Sequence, residues 1–262
     1  MSSSGLKTTN FKIMTKDNKQ QRLSDSTDTA IAYSTCYRLP FLSLFHADCM
    51  EIMKQYPDKY FDLAIVDPPY GIGADKKQNK AAMQRIKAEG KSKAGRGWKL
   101  YAETDWDNET PKAEYWQELF RVSKNQIVWG GNYFTDNLPP SMGWIMWDKG
   151  QRDFSLADGE LAWTSFNKAL RIFEMSRGKA LAKNNEQGGR FHPTQKPVML
   201  YSWILQNYAK EGDLILDTHF GSGSIALAVD KANRLDNMNL HLTACEIDKE
   251  YIDKAIKRIS ES

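Results

Sequence analysis

The sequence predicts an α/β fold built on a largely parallel sheet. Two short apolar runs with strand character, residues 213–216 and 240–245, are each followed by a segment with helical periodicity. In the second of these segments the apolar residues fall at i, i+3, i+4 and i+7, which are Ile252, Ala255, Ile256 and Ile259. Strands that alternate with amphipathic helices are typical of a parallel sheet covered by helices.

The N-terminal part of the chain contributes a tail, two strands and a short helix. Residues 1–34 are polar and aperiodic, which indicates a disordered tail ahead of one catalytic domain, 35–262. A strand pattern covers 41–46, and a short helical pattern covers 50–55. The apolar run 61–66 predicts a buried strand.

The middle of the chain adds a helix and further strands. A helix is predicted to start at Pro111, because proline favours the first helical position. It leads into a strand, 126–129, which the turn Gly130-Gly131-Asn132 closes. Two more strand patterns, 143–147 and 159–163, are typical of a hairpin-like pair at a sheet edge.

The composition is that of a globular enzyme domain. Of the 262 residues 41% are hydrophobic and 26% are charged, enough for one sizeable core. No apolar stretch reaches the about 18 residues of a membrane helix, and the N-terminal residues lack the apolar core of a secretion signal. We therefore expect a cytoplasmic protein that has no membrane partner.

The cysteines and histidines predict neither a disulfide framework nor a metal site. The cysteines are odd in number and far apart, without Cys-x-x-Cys spacing, and there are only four histidines. Buried or incidental thiols are the expected role of Cys36, Cys49 and Cys245.

Basic charge is concentrated in one stretch of the chain. Residues 76–99 hold nine basic side chains and one acidic one, a local charge of +8, which leaves 3 − 8 = −5 for the rest. This basic arm, taken as 74–105, has two interpretations. It is either a solvated loop or charged helix face, or a flexible arm that becomes ordered on nucleic-acid phosphates.

The tetrapeptide Asp67-Pro68-Pro69-Tyr70 follows the predicted strand 61–66 and is the main indication of function. Its carboxylate can accept an N–H bond, its prolines lack N–H groups and stiffen the backbone, and its aromatic ring can stack on a flat ligand. These features favour a nucleobase substrate. The alternative is a rigid strand exit with a capping aspartate and a core tyrosine.

A glycine-rich turn indicates a nucleoside-containing cofactor. The segment 217–226 follows a strand, opens a helix and fits the Gly-x-Gly-x-x-Ala pattern, and Glu246 stands 23 residues after Gly223. Glycines let the backbone approach a ligand, and an acid at the next strand end can accept ribose hydroxyls. The pattern alone does not separate NAD from S-adenosylmethionine. Because only 16 residues follow Glu246, the remaining strands must lie upstream, in a circularly permuted order.

Together these motifs resemble the beta group of DNA amino-methyltransferases. The resemblance runs over most of 41–259 and comprises, in order, the tetrapeptide, Ile127-Val128-Trp129 with its glycine turn, His192-Pro193-Thr194-Gln195-Lys196-Pro197, and Phe220-Gly221-Ser222-Gly223. It implies a Rossmann-like methyltransferase fold with a mostly parallel seven-stranded sheet and helices on both faces. It also implies methyl transfer from S-adenosylmethionine to an exocyclic base nitrogen.

The resemblance also implies roles for individual residues. Those of the tetrapeptide, Asp67, Pro68, Pro69 and Tyr70, form the catalytic site, and Asp67 also borders the cofactor. The other cofactor-binding residues are Asp48 on the cofactor adenine, Thr194 and Lys196 at its methionine end, Asp217, Phe220, Gly221 and Gly223 along the pocket, and Glu246 on the ribose.

The expected substrate is double-stranded DNA with a flipped-out adenine, methylated at N6. Adenine is preferred to cytosine N4 because the cytosine relatives more often have serine where Asp67 stands. Two further interpretations are an RNA or protein amine methyltransferase and a DNA-binding protein that has lost its catalytic activity. Target recognition is assigned to the short segment 167–191, or in part to the basic arm. A restriction-modification role is expected, and monomer and homodimer are both open.

Overall fold

A nine-stranded sheet organises the residues that the structure describes. The structure is a computed structural model that describes 36–73, 107–152, 157–186, 191–192 and 194–262. All of these ranges belong to one unit, Tyr33–Ser262. The predicted tail, 1–34, and the basic arm, 74–105, lie outside the described residues.

The strands include every one predicted from sequence and two short additions. In chain order they are β1 (Cys36–Leu39), β2 (Leu42–His46), β3 (Phe61–Val66), β4 (Ser123–Trp129), β5 (Trp144–Asp148), β6 (Gly159–Thr164), β7 (Arg171–Glu174), β8 (Leu214–Asp217) and β9 (His241–Glu246). Their order across the sheet is β1-β2-β9-β8-β3-β4-β6-β5-β7.

Most neighbouring strands are parallel, as predicted. Parallel pairs join β2, β9, β8, β3 and β4 in succession, and also β5 with β7. Antiparallel pairs are β1 with β2, β4 with β6, and β6 with β5. The last of these is the predicted hairpin-like pair.

The described sheet has nine strands where the resemblance implies seven. The additional strands are β1 and β7, each of four residues, at the two edges. In β7 only Phe173 is buried, so the strand has almost no apolar signal and falls within a mostly polar stretch of sequence.

The described helices are α1 (Cys49–Met53), α2 (Ala113–Val122), α3 (Arg177–Glu186), α4 (Val198–Tyr208), α5 (Ser224–Asp236) and α6 (Lys249–Ser260). Asp248 caps α6, since its carboxylate accepts the N–H groups of Glu250 and Tyr251. Within the described ranges, no helix is both long enough and apolar enough to cross a membrane.

Both faces of the central sheet are covered. Leu63, Ala64, Ile65 and Val66 of β3 are all buried although successive side chains point to opposite faces. Leu63 and Ile65 belong to the apolar cluster that includes residues of α4 and α5. Because β3, β4, β8 and β9 are parallel, their carboxyl ends lie along the same side of the sheet. In such folds the ligand-binding crevice lies beyond these strand ends.

Candidate active site

One cavity at this edge joins the two motifs that lie furthest apart in the sequence. Its volume is about 290 Å³. Asp67 and Pro69, from the end of β3, line it together with Phe220 and Gly221 from the turn after β8. The rest of its wall is formed by His192, Thr194, Gln195, Lys196, Tyr201, His219, Ser222, Glu246, Ile247, Asp248 and Tyr251.

The glycine turn is fixed to the end of β9 through Glu246. The backbone N–H of Gly221 donates to Glu246 Oε2 at 2.8 Å, and Gly221 has a positive φ of 51° that favours glycine. Glu246 Oε1 accepts the N–H groups of Ile247 and Asp248 at 2.9 and 3.0 Å. Burial raises the pKa of Glu246, and these N–H groups oppose that rise. The carboxylate is thus held at the cavity with one lone pair left, on Oε2, to accept a hydroxyl group.

Gly223 and Phe220 shape the turn itself. Gly223 is the N-cap of α5 with φ +70°, and a Cβ there would lie 3.2 Å from the Phe220 ring. The N–H of Phe220 donates to the carbonyl of Cys245 at 3.0 Å, which ties the turn to β9. Phe220 is buried and presents the apolar part of the cavity wall.

Asp217 ends β8 behind the cavity wall. Burial raises its pKa to about 8, the N–H of His219 opposes the rise, and the carboxylates of Asp67 and Glu246 add to it. His219 lines the cavity, and burial lowers the pKa of its imidazole to about 4. Near neutral pH the imidazole is therefore uncharged. A direct contact between Asp217 and a cofactor stays a prediction.

The carboxylate of Asp67 is held by two partners. Its Oδ1 accepts the hydroxyl of Tyr70 at 2.6 Å, and its Oδ2 accepts the ammonium of Lys196. The Lys196 side chain is only 2% exposed, against 17% for Asp67. Burial lowers the pKa of Lys196, but the charges of Asp67 and Glu160 more than offset it, and the pKa is raised overall. The structure pairs Lys196 with the tetrapeptide at the cavity wall, and its contact with the cofactor, which the resemblance implies, stays a prediction.

The surroundings of Lys196 include a carboxylate that the sequence did not reveal. Glu160 Oε2, from β6, lies 3.5 Å from Lys196 Nζ, and Glu160 Oε1 lies 2.5 Å from Lys149 Nζ. Burial alone would raise the pKa of Glu160, but Lys196 and Lys149 lower it below its ordinary value. The Trp129 ring centroid lies 5.1 Å from Lys196 Nζ.

Tyr70 is enclosed by the glycine turn that follows β4. Its ring stacks on Tyr133, with centroids 5.0 Å apart and planes 14° apart, and meets Phe134 edge-on at 6.0 Å. A Cβ on Gly130, whose φ is +69°, would lie 2.3 Å from the Tyr70 ring. The backbone N–H of Tyr70 donates to Asp107 Oδ1 at 2.6 Å. Burial and then the charge of Asp67 raise the pKa of Tyr70.

Two further predicted cofactor residues have different positions. Thr194 lines the cavity, and its Oγ1 lies 3.2 Å from His192 Nδ1. Asp48 is absent from the described cavity lining, and its carboxylate caps α1 by accepting the N–H of Met50 at 2.7 Å. Its contact with the cofactor adenine stays a prediction.

Sequence reasoning missed Glu160, Lys149, Tyr133 and Asp107. Glu160 gave a weak signal, since it lies two positions before the buried Ala162 and side chains two apart on a strand point to the same face. Asp107 gave none, because it lies 37 residues after Tyr70 and is brought to it by tertiary structure.

Residues 128–257 match the family model N6_N4_Mtase, described as a DNA methylase. The match spans 130 of the 262 residues, just under half of the chain. The matched residues include the glycine turn and Lys196, and the tetrapeptide lies outside them. The match supports a DNA methyltransferase that uses S-adenosylmethionine.

Two relatives of known name match more than four fifths of this chain. Type II methyltransferase M.HinfI of Haemophilus influenzae is 25% identical over 268 residues, 84% of this chain and 68% of that protein. Type II methyltransferase M.HpaI of Haemophilus parainfluenzae is 24% identical over 256 residues, 82% of this chain and 73% of that protein.

Solved structures of similar proteins include a complex with cofactor. The complex of M1.HpyAVI with SAM is 20% identical with a TM-score of 0.47, and the match covers 84% of this chain and all of that one. The PvuII DNA methyltransferase, named as cytosine-N4-specific, is 14% identical with a TM-score of 0.49, covering 83% and 86%.

Proposed function

We propose that this methylase transfers a methyl group from S-adenosylmethionine to the N6 amino group of a flipped-out adenine in double-stranded DNA. Residues 35–262 would form its catalytic domain. The observation that supports this most is the shared cavity, because Asp67 and the turn at Phe220 and Gly221 line it together. An amine acceptor and a nucleoside-binding turn are thereby brought to one place.

The residues at the glycine turn fit the cofactor. Glu246 can accept a ribose hydroxyl at Oε2 while its backbone donors hold it, and Gly221 lets the ligand approach the main chain. Phe220 and Ile247 offer apolar wall, and Thr194 offers a hydroxyl. When bound, S-adenosylmethionine would supply a methyl carbon on a positively charged sulfur, whose C–S bond would break as the amine lone pair forms the new N–C bond.

The tetrapeptide fits the amine. The lone pair of an exocyclic amine is delocalised into the ring, so the nitrogen must become pyramidal to attack. The Asp67 carboxylate and the Pro68 carbonyl can each accept one amine hydrogen, which favours this geometry and aligns the nitrogen. The nitrogen would carry a positive charge until one of its protons passes to water, and the negative charge of Asp67 would stabilise that state.

The base must leave the duplex stack before it can reach Asp67. Base flipping costs a few kcal/mol, and stacking on an aromatic ring recovers part of it. Tyr70 offers such a ring beside Asp67, to which its hydroxyl is bonded. We assign recognition of the surrounding DNA to 167–191, or in part to the basic arm; of these, 167–186 and 191 are described.

Adenine is favoured over cytosine by the aspartate that opens the tetrapeptide. The enzyme is incubated with unmethylated plasmid DNA and deuterium-labelled S-adenosylmethionine, and the DNA is digested to nucleosides for mass spectrometry. Labelled N6-methyldeoxyadenosine is expected. Labelled N4-methyldeoxycytidine would overturn the assignment of the base, and transfer to RNA or protein alone would overturn that of DNA.

A further inference from the structure

The catalytic carboxylate lies in a chain of four alternating charges. Lys149 contacts Glu160, Glu160 lies 3.5 Å from Lys196, and Lys196 contacts Asp67. None of the roles assigned so far requires Glu160, which lines no part of the described cavity wall. It stands on β6 opposite Trp147 of β5, so the sheet fixes its position.

The positive charge of Lys196 opposes the positive charge that forms on the amine nitrogen in the proposed reaction. The inference below rests on that proposed function. Methylation places a positive charge on the amine nitrogen beside Asp67. An ammonium in contact with the same carboxylate cancels much of the field that would stabilise this charge. In a site from which water is largely excluded, such a cancellation is felt strongly.

We propose that Glu160 is a positioning residue that offsets the charge of Lys196. Its carboxylate holds the ammonium at a fixed point and balances its charge. Asp67 then keeps both its orientation and its negative field toward the amine. Lys149 in turn keeps Glu160 ionised and directs its second oxygen to Lys196.

The other groups around Lys196 cannot replace Glu160. The Tyr70 hydroxyl lies 3.4 Å from Lys196 Nζ, and burial keeps the pKa of Tyr70 and that of Tyr201 above the ordinary value, so both are neutral. Asp217 acts on Lys196 only through space, and its pKa of about 8 leaves it largely protonated at neutral pH. Apart from Asp67, Glu160 is therefore the carboxylate placed to balance Lys196 within the described residues.

The effect of Glu160→Gln on rate should depend on pH. Glu160 is one of the charges that raise the pKa of Lys196, so its removal lowers that pKa. Below the new pKa the Lys196 side chain is an ammonium that opposes methyl transfer. Above that pKa the Lys196 side chain is uncharged and does not oppose it. The variant should lose about 10- to 100-fold in kcat at neutral pH and recover part of this loss at alkaline pH. The wild type should show no such recovery.

The test combines a double-mutant cycle with a titration. Single-turnover methyl transfer to unmethylated plasmid DNA is measured for Glu160→Gln, Lys196→Met and the double variant. We expect the double variant to be no slower than Glu160→Gln, because Glu160 acts through Lys196. In the protein without cofactor or DNA, NMR of ¹³C-labelled lysine should show a lower pKa of Lys196 in Glu160→Gln.

The control is Glu118→Gln, which breaks an ion pair with Arg121 on α2, outside the described cavity lining. It should leave the rate and the Lys196 titration unchanged. An unchanged Lys196 titration in Glu160→Gln, a rate within twofold of wild type, or losses that multiply in the double variant would each overturn the inference. If Glu160→Gln fails to fold, Glu160→Asp is used in its place. An unchanged rate–pH profile together with an unchanged Lys196 pKa in Glu160→Asp would overturn the inference. A wild type that methylates no DNA would refute the proposed function, while the titration still tests the pairing.

Discussion

The ring of Tyr133 lies flat against the ring of Tyr70, with 5.0 Å between their centroids and 14° between their planes. Tyr133 is 47% exposed, so it covers this face of Tyr70 from the solvent side. Two rings at this distance leave no space for a base between them. A base that stacks on this face must first displace Tyr133.

Tyr133→Ala should therefore tighten binding of DNA that carries an unpaired target base. The base no longer has to break an aromatic pair, a gain of about 2- to 10-fold in Kd. Tyr133→Phe keeps the ring and should bind as the wild type does. Fluorescence anisotropy with labelled DNA measures both. Weaker binding by Tyr133→Ala would show that this ring itself stacks on the base.

Substitutions of Tyr70 should distinguish its proposed stacking on the target base from its packing against neighbouring side chains. Tyr70→Phe keeps the ring but loses the 2.6 Å bond to Asp67, so it should retain more methyl transfer than Tyr70→Ala. A stacking role alone would tolerate Tyr70→Trp, but the ring is enclosed by Gly130, Tyr133 and Phe134. We therefore expect the larger ring to destabilise the fold by about 1–3 kcal/mol. Chemical denaturation beside methyl-transfer assays checks all three, and a Tyr70→Trp variant as stable as the wild type would refute the packing argument.

Gly130→Ala should destabilise the protein. Its φ of +69° is unfavourable for alanine, and the new Cβ would lie 2.3 Å from the Tyr70 ring, so a loss of about 1–3 kcal/mol in unfolding free energy is expected. Gly178→Ala is the matched control, because that helical Cβ meets nothing within 4 Å. The control should be neutral or stabilising. Equal thermal unfolding of the two variants would contradict the contact with Tyr70.

The pKa of Asp217 predicts a pH dependence of stability. Its folded pKa of about 8 lies above the ordinary 3.8, so the folded state binds more protons over this range. The contribution of Asp217 to the free energy of unfolding is fully present below pH 3.8 and is lost as pH rises toward 8. Compared with wild type, Asp217→Asn should therefore gain unfolding free energy steadily from about pH 4 to about pH 8. Denaturation at several pH values measures this, and a constant difference would contradict the assigned pKa.

The tetrapeptide and the glycine turn could be predicted from sequence, because the strand, turn and helix patterns that place each of them lie in neighbouring residues. The tetrapeptide and the turn at Gly221 follow apolar strands, and parallel strands must end at one edge. Their meeting in one cavity followed from that topology. The short edge strands β1 and β7 could not be predicted in the same way, because β7 buries only Phe173 and depends on pairing with β5.

Charge partners depend on tertiary contacts that carry no local pattern. Lys196 and Asp67 are 129 positions apart, and Glu160 comes from a third segment. The resemblance assigned Lys196 to the cofactor, and that contact stays a prediction, but the sequence could not show which carboxylates surround the ammonium. Asp48 was likewise recognisable only through resemblance, and its observed role is to cap α1.

In the proposed reaction Asp67 acts on the amine, while a separate part of the same cavity binds the cofactor. Asp67→Ala is compared with wild type in methyl transfer to DNA and in calorimetric titration with S-adenosylmethionine. Asp58→Ala is the control, an aspartate whose side chain is 78% exposed and pairs with Arg121. We predict that Asp67→Ala loses about 100- to 1,000-fold or more in transfer rate, with a Kd for the cofactor within a few-fold of wild type. Turnover close to wild type in this variant would contradict the proposed role of Asp67.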